Sequence, residues 1–316
     1  MLVPTVMLRR LGRCVVLTSF TAIAVTLGVA SSTAAERTFD TAKIEEITGA
    51  KGSFNDKEGV FKVSFPRTDV KIMVDGWLMP PFMGLTAWAA FTAGHGKQVM
   101  VMGDIVLFQD EVNPAMSAAL DSGLSVTALH NHFFFDEPKV YFMHIGGEGD
   151  VAMLATGVRK IFDRIKEVRA ASAQPETKFP GAPIPAPSTI SGSALEDILR
   201  VKGQSNNGMF KVVLGRTTKM HATRMGSEMG VNTWAAFAGS DDNAVVDGDF
   251  AMLEGELQTV LKSMRKEGIN IVAIHHHMSD EKPKYLFLHY WGKGKAQDLA
   301  QGLRRTLDLQ AKAKNH

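Results

Sequence analysis

The sequence predicts an α+β fold made of two tandem homologous repeats, each an antiparallel or mixed sheet with flanking helices. Two observations carry this expectation. The chain from Ile44 to His144 returns, with small deletions, from Leu195 to His289. Within each copy, short β-branched or aromatic runs bounded by Gly or Pro alternate with amphipathic stretches. That mixture differs from the strict strand–helix alternation of a doubly wound parallel sheet.

The duplication can be followed residue by residue. Ile44-Glu45-Glu46-Ile47 matches Leu195-Glu196-Asp197-Ile198, and Phe61-Lys62-Val63 matches Phe210-Lys211-Val212. Met83-Gly84-Leu85 through Trp88-Ala89-Ala90-Phe91 matches Met229-Gly230-Val231 through Trp234-Ala235-Ala236-Phe237. From Gly103-Asp104, aligned with Gly248-Asp249, the register runs without a gap to His144 and His289.

In copy one, Phe61–Phe65, Val70–Val74, Ala87–Thr92 and Val99–Leu107 read as strands. Asn113–Ser122 reads as a helix with Met116, Ala119 and Leu120 on one face, stopped by Gly123. Val126–Phe135 and Val140–Ile145 are predicted strands around the turn Asp136-Glu137-Pro138-Lys139. Gly147-Glu148-Gly149, like Gly292-Lys293-Gly294, reads as a sharp strand-to-helix turn. Asp150–Arg169 closes the copy as a helix with the apolar stripe Val151, Leu154, Val158, Ile161, Ile165 and Val168. Copy two repeats the pattern, beginning at the capping-box sequence Ser193-Ala194-Leu195-Glu196 and ending on Leu299, Leu303 and Leu307. Trp88, Trp234, Phe91 and Phe237 are expected in the core.

This divides the chain into a leader (1–35), repeat one (40–169), a linker (170–193) holding Pro175, Pro180, Pro183, Pro185 and Pro187, and repeat two (194–316). The leader places Arg9, Arg10 and Arg13 before the apolar run Cys14–Ala30 and the small residues Ser31–Ala35, the three-part form of a secretory signal peptide. An exported protein is expected, periplasmic or secreted, with no stable membrane anchor after cleavage. The leader takes three of the 35 basic residues, leaving 32 against 33 acidic ones, so a nucleic-acid partner is not expected. It also holds the only cysteine, Cys14, so thiolate chemistry is excluded from the remainder.

Chemistry is expected at His130-Asn131-His132 with His144, and at His275-His276-His277 with His289. Alternate residues of a strand share a face, so His130 and His132 project together, as do His275 and His277. With Pro138 near the apex of a hairpin, His132 and His144 would be cross-strand neighbours, and Pro283 would set His277 against His289 in the same way. Three converging imidazoles are the ligand set of a divalent metal site with an open position. Six of the ten histidines occupy these duplicated places. Without thiolates zinc is the first expectation, and iron, manganese, copper and nickel also accept imidazole. The alternative is a polar cleft of histidines without metal.

Asp104 and Asp249 are candidates for a fourth ligand or an acceptor behind an imidazole. Glu111 and Glu256 are candidates for the catalytic base, although an acid at a helix start is also ordinary capping. Asp136 and Glu281 read as solvated turn residues. No nucleophile elbow, phosphate loop, dinucleotide fingerprint or zinc-protease helix is present.

The Met83-Gly84-Leu85, Trp88–Phe91, Met102-Gly103-Asp104 and Glu111–Pro114 segments, with Val126–His132 leading to Phe142-Met143-His144, resemble the LppY/LpqO family of exported bacterial proteins. The resemblance spans nearly all of the chain after the leader and implies the duplicated arrangement. It implies no substrate and no catalytic residue, because that family is functionally uncharacterised. Its lipoprotein members differ from this leader, which has no cysteine at the cleavage point. In copy two His276 replaces Asn131 and Asp247 replaces Met102.

The reading favoured by the residues is a metal-dependent hydrolase or lyase acting on a small molecule or a cell-envelope component. The alternatives are a non-catalytic ligand-binding module and a metal-storage protein.

Overall fold

The computed structural model describes residues 39–313, and the expected leader lies outside them. Copy one runs through α1 (Thr41–Thr48), β1 (Gly52–Asn55), β2 (Val60–Pro66), β3 (Met73–Val74), β4 (Trp77–Leu78), β5 (Thr86–Ala93) and β6 (Val99–Phe108). It continues with α2 (Gln109–Asp121), β7 (Ser125–His130), β8 (Asp136–Glu137), β9 (Val140–Gly149) and α3 (Val151–Ala171). Copy two begins with α4 (Gly192–Leu199), β10 (Gly203–Asn206), β11 (Met209–Gly215), β12 (Thr218–Met220), β13 (Thr223–Met225) and β14 (Asn232–Gly239). It ends with β15 (Ala244–Leu253), α5 (Leu257–Lys266), β16 (Asn270–His275), β17 (Tyr285–Gly294) and α6 (Ala296–Ala313).

Both copies contribute to one 12-stranded antiparallel sheet, ordered β1-β2-β5-β6-β9-β7-β16-β17-β15-β14-β11-β10. The order is palindromic about β7 and β16, which meet where Leu129 faces Ile274. β3, β4 and β8 form a small separate sheet, and β12 pairs with β13.

Side-chain alternation sorts the large sheet into two faces. In β5, Ala87, Ala89 and Phe91 are buried while Trp88, Ala90 and Thr92 are less so. Helix residues Met116, Leu120, Leu154, Val158 and Ile161 of copy one share one core with Val260, Leu261, Met264, Leu299 and Leu303 of copy two. Of the stripe expected on α3, Leu154, Val158, Ile161 and Ile165 are buried, whereas Val151 and Val168 at its two ends are only half-buried. Asp150 caps that helix, accepting from the Ala152 and Met153 amides at 2.8 and 3.1 Å.

Several local expectations need correction. α2 begins at Gln109, four residues before the expected start, because the Glu111 carboxylate turns back to accept the Phe108 N–H at 2.9 Å. β7 stops at His130 instead of running to Phe135, and of the expected strand Val70–Val74 only Met73–Val74 pairs. The glycine loops lie within the ends of β9 and β17, so the turns into the helices are shorter than expected. Ser193 is not a cap: α4 starts at Gly192, and Glu196 accepts from the Gly203 N–H at 3.0 Å, as Glu45 does from Gly52 at 2.9 Å. Trp88 and Trp234 lie outside the core, half-buried, each beneath a lysine: Lys62 Nζ is 4.2 Å and Lys211 Nζ 4.3 Å from the ring centre. Phe91 and Phe237 are fully buried.

Candidate metal centre

The histidines occupy the sheet face opposite the main helices. β6 and β9 set Asp104 directly opposite His144, and β9 sets His144 opposite Ala128 of β7. His130, two residues beyond Ala128, shares that face. Copy two repeats the row, with Asp249 opposite His289 and His289 opposite Ala273, two residues before His275. Trp88 and Trp234 flank the acids as the cross-strand partners of Asp104 and Asp249.

This register corrects the expected hairpin geometry, because His144 faces Ala128 and His132 lies beyond the strand. His130 pairs with Phe142 and His275 with Phe287, so the strands pair about Asp136 and Glu281, two residues before the prolines from which the expectation counted. His132 and His277 reach the cluster from the following loop, stacked flat on Phe142 and Phe287 at 3.3 and 3.6 Å between centroids. These phenylalanines belong to small apolar clusters with Val70, Ile72 and Leu85 in copy one, and with Met225 and Val231 in copy two. The sequence signal for them was available: each lies two residues before the last histidine, on its face.

In copy one the His130 ring is 5.1 Å from both the His132 and His144 rings, with its Nε2 3.0 Å from that of His144. In copy two His277 Nε2 lies 3.1 Å from His275 Nε2 and 3.0 Å from Asp249 Oδ2. Ligand atoms of Asp249, His275 and His277 all fall within 4.8 Å of one another, so this group could hold a metal ion. His289 stands beside it, stacked on His275 at 4.8 Å, with Nδ1 3.3 Å from the Gly248 carbonyl. The Gly230 carbonyl lies 3.1 Å from His277 Nδ1 and fixes that ring from behind.

The donor set fits a small divalent cation. Nitrogens held about 2.0–2.1 Å from a tetrahedral zinc stand about 3.3 Å apart, so the observed spacings need only slight opening. Asp249 Oδ1, Asp104 Oδ1 and His275 Nδ1 are buried without hydrogen-bond partners. Burial, helped by the neighbouring His289, His277 and His276, lowers the His275 pKa to about 4, so its imidazole is neutral at pH 7 and available as a ligand. His132 is also lowered, mainly by burial. Burial raises Asp249, and the adjacent His289 and His277 oppose that shift.

Glu111 and Glu256 are placed elsewhere. Glu111 is fully buried, with Oε1 2.5 Å from Arg67 and 2.8 Å from Arg169, and Oε2 2.6 Å from Arg67. Arg67 itself lies against the Phe108 ring at 4.2 Å. Glu256 accepts from Arg216 at 3.2 Å, from Gln310 at 2.8 Å and from the Leu253 N–H at 2.9 Å. Their partners are guanidinium groups, helix-start amides and the Gln310 side-chain amide rather than imidazoles. Asp136 and Glu281 are buried too, against the expectation of solvated turns: they accept the Val140 and Tyr285 N–H groups at 2.7 and 3.0 Å where the chain re-enters the sheet.

The sequence of residues 42–164, and again of 193–309, matches the family described as Domain of Unknown Function (DUF1259), and the chain belongs to that family. The two matched segments are the two halves of the sheet. No curated protein matches. Among solved structures the chain is similar to a trimeric bacterial microcompartment shell protein, PduB, at 10% identity and a TM-score of 0.20, over 83% of this chain and 92% of that one.

Proposed function

We propose that this is an exported, metal-dependent hydrolase or lyase whose copy-two cluster, Asp249 with His275 and His277, binds zinc or a similar divalent cation. The observation that carries the reading is the convergence of these three donors within 4.8 Å of one another. Bound there, the metal would acidify a coordinated water and polarise a substrate oxygen. The protein's own residues have simpler tasks. Asp249 and the two imidazoles hold the ion, Phe287 and the Gly230 carbonyl fix the His277 ring, and the unpartnered Asp249 Oδ1 is an acceptor for a proton at the site. Glu111 and Glu256 serve as buried counter-ions for arginines in this reading. The copy-one cluster of His130, His132, His144 and Asp104 is its duplicate. Export rests on the leader, and the substrate is a small molecule or a cell-envelope component.

Metal analysis of untagged protein purified without chelator tests this. About one or two equivalents of a single metal per chain are expected, falling by about one in His275→Ala and His277→Ala. Metal-free protein that gains no thermal stability from zinc, iron, manganese, copper or nickel would overturn it. The remaining reading would then be a ligand-binding module, which the open cleft beside His289 favours.

A further inference from the structure

The proline-rich segment is more than a tether. Its backbone and side chains are tied to copy two: the Asn243 side-chain amide donates to the Pro183 carbonyl at 2.6 Å, and the Gly239 N–H donates to Ser188 Oγ at 3.1 Å. Thr189 forms a bridge with Ser240. Lys178, Phe179 and Ile184 thereby form one side of a cleft of about 750 Å³ whose other side is the histidine-bearing face of β15, β16 and β17.

On that face the cleft has a definite order. Asp249 pairs with His289, Asp247 with Trp291 and Val245 with Lys293, so three successive rungs run from the metal cluster to a cationic end. Lys293 lies four residue steps along β17 from His289, a span of about 13 Å. Lys178 from the linker lines the same cleft as Lys293, and neither lysine is in an ion pair among the described residues. Trp291 supplies a flat apolar wall between the two ends, and exposed Asp247 is an acceptor beside it.

Copy one has none of this. In the gapless register, Gly146 stands for Trp291, Glu148 for Lys293 and Met102 for Asp247. The duplication that preserved the histidines therefore left the floor of the cleft and its charge on one copy alone.

From this arrangement we infer that copy two carries a binding site for an amphipathic organic anion. Its acidic group meets Lys293 and Lys178, its flat apolar body lies on Trp291 against Phe179, and a hydroxyl or amine donor on it is received by Asp247. The inference rests on the metal reading only for what the far end of the ligand meets, namely the Asp249–His277 cluster. Copy one, with glutamate at the lysine position, excludes such a ligand by charge and offers no stacking surface.

Naphthoate tests this site, with naphthol and naphthylmethylamine as neutral and cationic comparators, by calorimetry on the full mature chain, with zinc content measured on the same samples. Naphthoate is expected to bind in preference to both comparators. Lys293→Glu and Trp291→Ala should each weaken it about tenfold or more, with zinc content and melting temperature unchanged. Glu148→Lys in copy one should leave it as in the parent protein. Failure of naphthoate to bind, equal binding of the amine, or indifference to both copy-two variants would overturn the inference, even with zinc bound. Binding that depends on Lys293 and Trp291 in a protein that takes up no zinc would uphold the cleft and overturn the metal reading alone.

Discussion

Asn113 and Gln258 occupy equivalent positions in the two copies, and each reaches across the midline to do the same work on the other copy. The Asn113 side chain accepts the Ile271 N–H at 2.8 Å and donates to the Ile271 carbonyl at 3.1 Å. Gln258 accepts the Val126 N–H at 3.0 Å and donates to the Val126 carbonyl at 2.8 Å. Val126 and Ile271 are themselves equivalent and fully or almost fully buried. Where β7 and β16 meet, the side-chain amides supply the backbone partners that strand pairing leaves out, because only Leu129 and Ile274 form a rung.

Removing one of these amides should therefore cost more than an exposed hydrogen bond. Asn113→Ala leaves a buried N–H and C=O unpaired, and about 1–3 kcal/mol of unfolding free energy should be lost. Gln258→Ala, in a less buried setting, should cost less. Urea denaturation followed by circular dichroism measures both, and a change below about 0.5 kcal/mol for Asn113→Ala would contradict the seam described here.

The role of Glu111 is open to a direct contrast between stability and metal content. Glu111→Gln removes the buried carboxylate shared by Arg67 and Arg169 while leaving them Asp69 and Asp110, with an expected loss of about 1–3 kcal/mol. Metal content of the protein that remains folded should equal that of the parent. A variant of full thermal stability that loses turnover would instead restore Glu111 as a base.

Acid should destabilise the metal-free protein through His275. Its pKa in the folded chain is about 4 against an ordinary 6.5, so between these values the unfolded chain binds the proton and the folded chain does not. Stability is fully present above pH 6.5 and declines as pH falls toward 4. Melting temperatures taken across this range should slope downward with acid, and His275→Gln should flatten the slope.

Chelation offers a fourth check. If the copy-two cluster holds metal, dialysis against EDTA should lower the melting temperature of the parent protein more than that of Asp249→Ala, since a ligand that binds only the folded state stabilises it and the variant has lost this site. Equal shifts in both proteins would place the metal elsewhere.

The repeat, the histidine-bearing segments and the long closing helices were legible in the sequence because each depends on residues close together in the chain. The strand alternation expected of His130 and His132 fails because β7 ends at His130, but periodicity is local, and an apolar stripe on α3 survives whatever the rest of the fold does. Glu111 could be read as a cap for the same reason. What residue order could not supply was which atoms meet across strands. Strands β7 and β9 pair about Asp136 rather than Pro138, which sets His144 opposite Ala128, and the uninterrupted β6–β9 and β15–β17 registers put Asp104 and Asp249 on the histidine row. Joining the copies through β7 and β16 depends on backbone edges and side-chain amides more than a hundred residues apart, and the linker is held by contacts to both copies, through Asp110 and through Asn243 and Gly239. Those contacts exist only once both halves have formed their sheets and their unpaired edges find each other. The chain's own pattern therefore determined two copies of a histidine-bearing sheet, and tertiary pairing decided that they make one sheet with a cleft on one side of its midline.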